Sequence, residues 1–158
     1  MRTDATVDVR AYTVEELKSH ISEFLTFVEN PLSQGKYEIL EKHLAVIYSD
    51  GLNLSVSVEP SLEKPQTAEY EELRKSIEKN FHELGFYHTI LNPQEIIVEP
   101  ELAIGDAIDD FTDIVKDLKE VISLTDDNTF LWQFHFNFKS HFKDHLINLI
   151  NYLNGLER

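Results

Sequence analysis

Apolar residues recur at a helical period along most of the chain, and glycine and proline separate the periodic segments. The first segment opens with Thr13 and Glu16, which have the spacing of a capping box, and it ends before Pro31. Four further segments with the same period end near residues 51, 84, 124 and 153. Five helices predict an all-α fold, and we expect a single-domain helical bundle over residues 1–158.

Two stretches depart from this period. Residues 52–67 are polar and contain Pro60 and Pro65, so we expect an extended connection without a pairing partner. Residues 86–100 contain two short β-prone runs on either side of Asn92 and Pro93. These runs predict an irregular hairpin or an extended crossover.

The fourth helix carries an acidic stripe beside its apolar arc. At about 100° per residue, Asp109 and Asp113 lie opposite the arc, whereas Asp110 and Asp117 lie at its margin. The side chains on the arc are those of Ile104, Ala107, Ile108, Phe111, Ile114, Val115, Leu118 and Ile122. The two acids at the margin are therefore the ones expected to meet a neighbouring helix.

The fifth helix, over 130–153, places His135 and His145 on its apolar face and His141 beside them. A buried imidazole usually has a carboxylate or carbonyl partner, so we expect His135 or His145 to contact Asp110 or Asp117. Such a contact is expected to raise the pKa of the histidine and to lower the pKa of the aspartate.

Three patterns point to metal or phosphate chemistry. Asp109, Asp110 and Asp113 spell D-D-x-x-D, by which isoprenoid synthases hold magnesium and pyrophosphate, although a solvated acidic face has the same pattern. Paired acids are also typical of all-helical nucleotide pyrophosphohydrolases, but the first helix lacks their inward-facing E-x-x-E step. His141 and His145 are four residues apart, which lets two imidazoles bind one ion, but no H-E-x-x-H completes the site.

Charge and composition limit the classes of binding partner and the expected location. The chain has 29 acids against 14 lysines and arginines, a net charge of −15, which opposes binding to nucleic acid or to an anionic membrane and favours a basic protein partner. Cysteine is absent, which suits a reducing compartment, and we expect a cytoplasmic location. No apolar run reaches the roughly twenty residues of a membrane span, and residues 1–12 show no signal core.

The last third of the chain resembles a bacterial family known as domain of unknown function 5063, best over residues 86–153. That family has a segment of the form D-D-L-x-D-I-Y-x-D-L-K, which the chain matches at Asp109, Asp110, Asp113, Ile114, Asp117, Leu118 and Lys119. A following helix in the family has a pattern that Phe138, His145 and Leu146 fit. The resemblance implies an all-helical single domain and no established activity.

The sequence favours a non-catalytic acidic interaction protein of the immunity or regulatory type, because no complete catalytic set is present. The alternative is a metal-dependent phosphohydrolase that uses the aspartate-rich helix. The candidate binding residues are Asp109, Asp110, Asp113, Asp117, His135 and His145. No cofactor is predicted, and a divalent metal belongs to the alternative. Surplus aromatic residues such as Trp132 and Phe136 suggest a homodimer.

Overall fold

The structure, a computed structural model, describes residues 13–96 and 98–156. Its elements in chain order are α1 (Val14–Glu29), α2 (Lys36–Asn53), α3 (Tyr70–Asn80), β1 (Phe86–Ile90), β2 (Leu102–Asp106), α4 (Ala107–Ile122), α5 (Asp127–Asn137), a π-helical turn (Phe138–Phe142) and α6 (Lys143–Leu156). Because α5, the π turn and α6 follow without a break, the described chain has five helical rods, and the all-α prediction is confirmed. Residues 1–12, for which the sequence predicts no signal, lie outside the described residues.

The predicted capping box begins α1. The Thr13 side chain accepts a hydrogen bond from the Glu16 backbone amide at 3.1 Å, and the Glu16 carboxylate accepts one from the Thr13 amide at 3.2 Å. These contacts satisfy two of the amide groups that a helix start leaves unpaired. The helix buries its predicted apolar seam and ends at Glu29, with Asn30 as its C-cap directly before Pro31.

Helix α4 lies at the centre of the bundle and packs against α1, α3 and α6. Its Phe111 is fully buried and meets the rings of Phe24 in α1 and Phe81 after α3. Asp106 begins the helix by accepting a hydrogen bond from the Ile108 amide at 3.0 Å. Within 13–96 and 98–156, no helix is long and apolar enough to cross a membrane.

The π turn follows from a four-residue apolar repeat. In an α-helix a step of four residues advances about 40° beyond a full turn, so such a repeat drifts away from the core. A π turn takes one more residue and reverses that drift. The buried side chains in this repeat are Phe130, Phe134, Phe138, Phe142 and Leu146. The sequence predicted one uninterrupted helix here, and the π turn was not predicted.

The predicted irregular connection contains a hairpin whose second strand lies later than expected. β1 pairs antiparallel with β2, and Tyr87 lies opposite Gly105 in the register. The second β-prone run, before Pro100, forms no strand among the described residues. Ile104 was wrongly predicted in the fourth helix, because residues 102–106 alternate toward and away from the bundle as a strand does.

Candidate functional site

Two imidazole–carboxylate contacts join α4 to the last helical rod. His145 Nδ1 lies 2.7 Å from Asp110 Oδ1, and His141 Nδ1 lies 2.7 Å from Asp117 Oδ2. Asp110 and Asp117 are 6 % and 8 % exposed, so both carboxylates are held inside the bundle. The expected contact between His145 and Asp110 is therefore present, and the His141 contact adds a second one that was not predicted.

Asp113 lies between these two contacts. One of its carboxylate oxygens, Oδ2, is 3.5 Å from His145 Nε2. One ligand atom each from Asp113, His141 and His145 lies within 4.8 Å of the other two. Asp113 was wrongly predicted to face solvent. The aspartates at 110, 113 and 117 share one helical stripe, which faces the π turn and α6.

Burial and charge set the protonation of this cluster. Burial raises the pKa of Asp113 and of Asp117. The hydrogen bond to Asp110 raises the pKa of His145 against the opposing effect of burial. The predicted rise in the pKa of the histidine is therefore confirmed for His145. In the unpredicted contact between His141 and Asp117, desolvation outweighs the contact, and the pKa of the aspartate is raised rather than lowered. Asp113, His141 and His145 are residues of this cluster that could hold a metal ion.

Tyr87 completes the surroundings of Asp110. Its hydroxyl donates a hydrogen bond to Asp110 Oδ2, while Oδ1 contacts His145. The Tyr87 ring covers Gly105, where an added Cβ would lie 2.2 Å from the ring. Burial raises the pKa of Tyr87, so its hydroxyl keeps the proton that it donates. Each oxygen of the Asp110 carboxylate therefore has a partner that fixes its orientation.

Asp109 belongs to a different group of contacts. It accepts a hydrogen bond from the Tyr70 hydroxyl and lies 3.5 Å from Arg74 Nη1, while Arg74 Nη2 lies 2.8 Å from Asp106. Burial raises the pKa of Tyr70 to about 12. Because Asp109 is turned toward α3, the D-D-x-x-D aspartates do not converge on one ion, and the isoprenoid-synthase interpretation fails for this helix.

His135 does not join the cluster. The π turn rotates the following residues by roughly a quarter of a turn relative to a continuous α-helix, so His135 and His145 no longer share a face. His135 Nδ1 is buried, without a hydrogen-bond partner in the part of the chain that the structure describes. The prediction that His135 belongs to the same site is not supported by this geometry.

Residues 10–157 match the family described as a domain of unknown function, DUF5063. The chain belongs to the DUF5063 family. The match covers nearly the whole chain, beyond the residues 86–153 on which the resemblance was first based. No curated protein matches the DUF5063 chain significantly.

Among solved structures, the DUF5063 chain is similar to protein BF1032 from Bacteroides fragilis. The TM-score is 0.65 at 20 % sequence identity, and the alignment covers 92 % of this chain and 90 % of that one. At this identity the likeness concerns the fold alone. It agrees with the helical bundle described above.

Sequence reasoning on this DUF5063 chain left His141 out of the candidate binding residues and missed Tyr87. The signal for His141 was the i, i+3, i+7 stripe of aspartates, which matches the His141 and His145 pair on an antiparallel helix. Tyr87 gave no such signal, because its contact depends on where β2 begins.

Proposed function

We propose that the protein binds a divalent transition-metal ion through Asp113, His141 and His145. The observation that carries the proposal is that a buried aspartate contacts Nδ1 of each histidine at 2.7 Å. This arrangement fixes the ring and leaves Nε2 as the available ligand, and metal-binding histidines generally have such a partner on the other nitrogen.

One of the three distances between ligand atoms already has the length expected around a bound ion. Metal–ligand bonds of about 2.0–2.2 Å place neighbouring ligand atoms of one ion roughly 3–3.5 Å apart. His145 Nε2 and Asp113 Oδ2 already have that separation, at 3.5 Å. The ligand atom of His141 lies within 4.8 Å of the other two, so a small approach of this ring completes the set while its contact with Asp117 is kept. Imidazole with carboxylate suits zinc, iron or manganese better than magnesium or calcium.

Three protein ligands leave coordination positions for water or a substrate, which is typical of catalytic rather than structural sites. The alternative of a metal-dependent phosphohydrolase stays a prediction, now with Asp113 as a ligand, with Asp110 and Asp117 supporting the histidines, and without Asp109.

The expected basic partner also stays a prediction. Three acids of α4 face inward, so this helix offers such a partner less charge than the sequence suggested. The cytoplasmic location and the homodimer remain predictions as well.

Isothermal titration calorimetry of chelator-treated protein with Zn²⁺, Co²⁺ and Mg²⁺ tests the proposal. We expect one Zn²⁺ or Co²⁺ ion per chain and weaker binding of Mg²⁺. Either His141→Gln or His145→Gln should weaken Zn²⁺ binding at least tenfold, a loss of about 1.4 kcal/mol. His82→Gln is the matched control, because His82 is exposed and lies outside the cluster.

Without a metal ion, the same contacts are those of a protonated His145 that forms an ion pair with Asp110 and Asp113. If these contacts serve only that ion pair, the titration should show no metal binding above background, or the His82 variant should lose as much Zn²⁺ affinity as the other two variants. Either result contradicts the proposal.

A further inference from the structure

The outer face of the β1–β2 hairpin is uncovered and mostly apolar, with the exposed His88 opposite Ile104 as a polar position on it. Alternation along the strands turns Tyr87 and Gly105 toward the bundle and leaves the neighbouring positions outside. The exposed apolar side chains of the two strands are Phe86 at 75 %, Ile90 at 42 %, Leu102 at 60 % and Ile104 at 73 %. A single-layer sheet normally exposes a polar face, so this face is the reverse of the usual pattern.

The exposed apolar side chains are concentrated here. Seven of the fourteen large hydrophobic side chains that are exposed among the described residues lie between residues 86 and 106. The connection between the strands adds Leu91, Ile96 and Val98, which are 52 %, 102 % and 98 % exposed. Exposed apolar side chains concentrated in one segment in this way are typical of an interaction site.

The same segment is acidic and contains no lysine or arginine. Its acids are Glu95, Glu99, Glu101 and Asp106. Asp106 is paired with Arg74, whereas Glu95, Glu99 and Glu101 are exposed around the connection. The apolar face is therefore bordered by negative charge alone within its own segment.

We propose that the outer face of this hairpin docks a protein segment that carries apolar residues flanked by lysine or arginine. Apolar contacts with Phe86, Leu102 and Ile104 supply the binding, and the cations meet the surrounding glutamates. A second copy of this chain fits less well, because a symmetric contact would bring the same acids together in a protein of net charge −15. An anionic membrane or a nucleic acid is opposed by the same charge.

The hairpin is held in place from its inner side, so the face exists before a partner arrives. The Gly85 amide donates to the Tyr152 hydroxyl at 2.9 Å, and the Ala107 amide donates to the Gly85 carbonyl at 3.0 Å. Tyr87 adds its hydrogen bond to Asp110. Substitutions on the outer face leave these contacts intact, so variants of that face should keep the fold.

The test uses three fluorescently labelled eight-residue peptides and measures their anisotropy with the full chain in the presence of chelator. The first alternates valine with lysine, the second valine with glutamate and the third serine with lysine. We expect the valine–lysine peptide to bind at least tenfold more tightly than either of the others. The double variant Leu102→Ser, Ile104→Ser should weaken it at least tenfold, while the control Leu52→Ser, Leu62→Ser, at exposed positions elsewhere, should bind as the unchanged protein does.

Three results overturn the proposal. Equal binding of the serine–lysine peptide shows that bulk charge alone explains the binding, and no effect of the hairpin variant shows that the peptide binds elsewhere. Self-association in sedimentation that the hairpin variant abolishes assigns the face to a second copy. Because chelator is present throughout, the outcome is separate from that of the metal titration.

Discussion

Asp117→Asn should weaken metal binding while hardly changing the stability of the metal-free protein. The carboxylate contacts Nδ1 of His141 at 2.7 Å and is proposed to support it as a ligand. Loss of such a supporting partner typically costs 10–100-fold in metal affinity. The His141 side chain is 47 % exposed, so water can take over part of the contact. We therefore expect the lower end of that range, about tenfold or about 1.4 kcal/mol.

The metal-free protein should respond differently, because two effects oppose each other. Burial raises the pKa of Asp117, so the neutral amide removes a desolvated charge, while its contact with His141 is weaker. We expect the free energy of unfolding to change by no more than about 1 kcal/mol. Calorimetric titration with Zn²⁺ gives the affinity, and urea unfolding in chelator gives the stability. Glu72→Gln removes one exposed acid as a control. An unchanged affinity, or an equal loss in the control, refutes the reasoning.

Three further predictions concern core packing, the support of the site and the pH dependence of stability. Gly51→Ala should destabilise the protein, because the added Cβ would lie 2.3 Å from the Phe138 ring. Overpacking of this kind costs about 1–3 kcal/mol or more, whereas the higher helix propensity of alanine returns about 1 kcal/mol. Urea unfolding should therefore show a lower free energy of unfolding, and a higher one would mean that the ring moves freely. In Gly105→Ala, the added Cβ would lie 2.2 Å from Tyr87, so Zn²⁺ affinity should fall as it does in Tyr87→Phe, and an unchanged affinity would separate Tyr87 from the site. Burial lowers the pKa of His43, so the unfolded chain takes up the proton first and stability falls as the pH drops below 6.5. His43→Phe should lose that dependence in urea unfolding between about pH 7.5 and about pH 5.5, and parallel curves would contradict the assignment.

The helical bundle follows from local patterns that the sequence displays directly. The capping box at Thr13 and the seam of α1 depend on neighbours a few residues away, and both were predicted. The helix predicted over 130–153 is present, and it extends over 127–156. Its π turn was missed, although the repeat from Phe130 to Leu146 at every fourth position indicates it, because a continuous α-helix was assumed.

The site depends on contacts that the local pattern does not contain. The margin positions of Asp110 and Asp117 were visible on a helical wheel, and both were correctly expected to meet a neighbouring helix. Their partners depend on the angle and position at which α6 packs against α4, and a helical wheel of one helix contains no such information. The wheel also placed Asp113 in solvent, because it shows which residues share a face but not how far a neighbouring helix covers that face. The second strand was missed for a similar reason, since a strand is defined by its pairing partner.

The most direct test of the central claim is an X-ray diffraction experiment on crystals grown with Co²⁺, recorded at the cobalt absorption edge. The account predicts an anomalous peak about 2.0–2.2 Å from a carboxylate oxygen of Asp113 and from Nε2 of His141 and His145. Asp110 and Asp117 should keep their contacts with Nδ1. The crystals should be grown at a Co²⁺ concentration well above the dissociation constants of histidine–carboxylate sites. The absence of anomalous density at this cluster under those conditions would contradict the account.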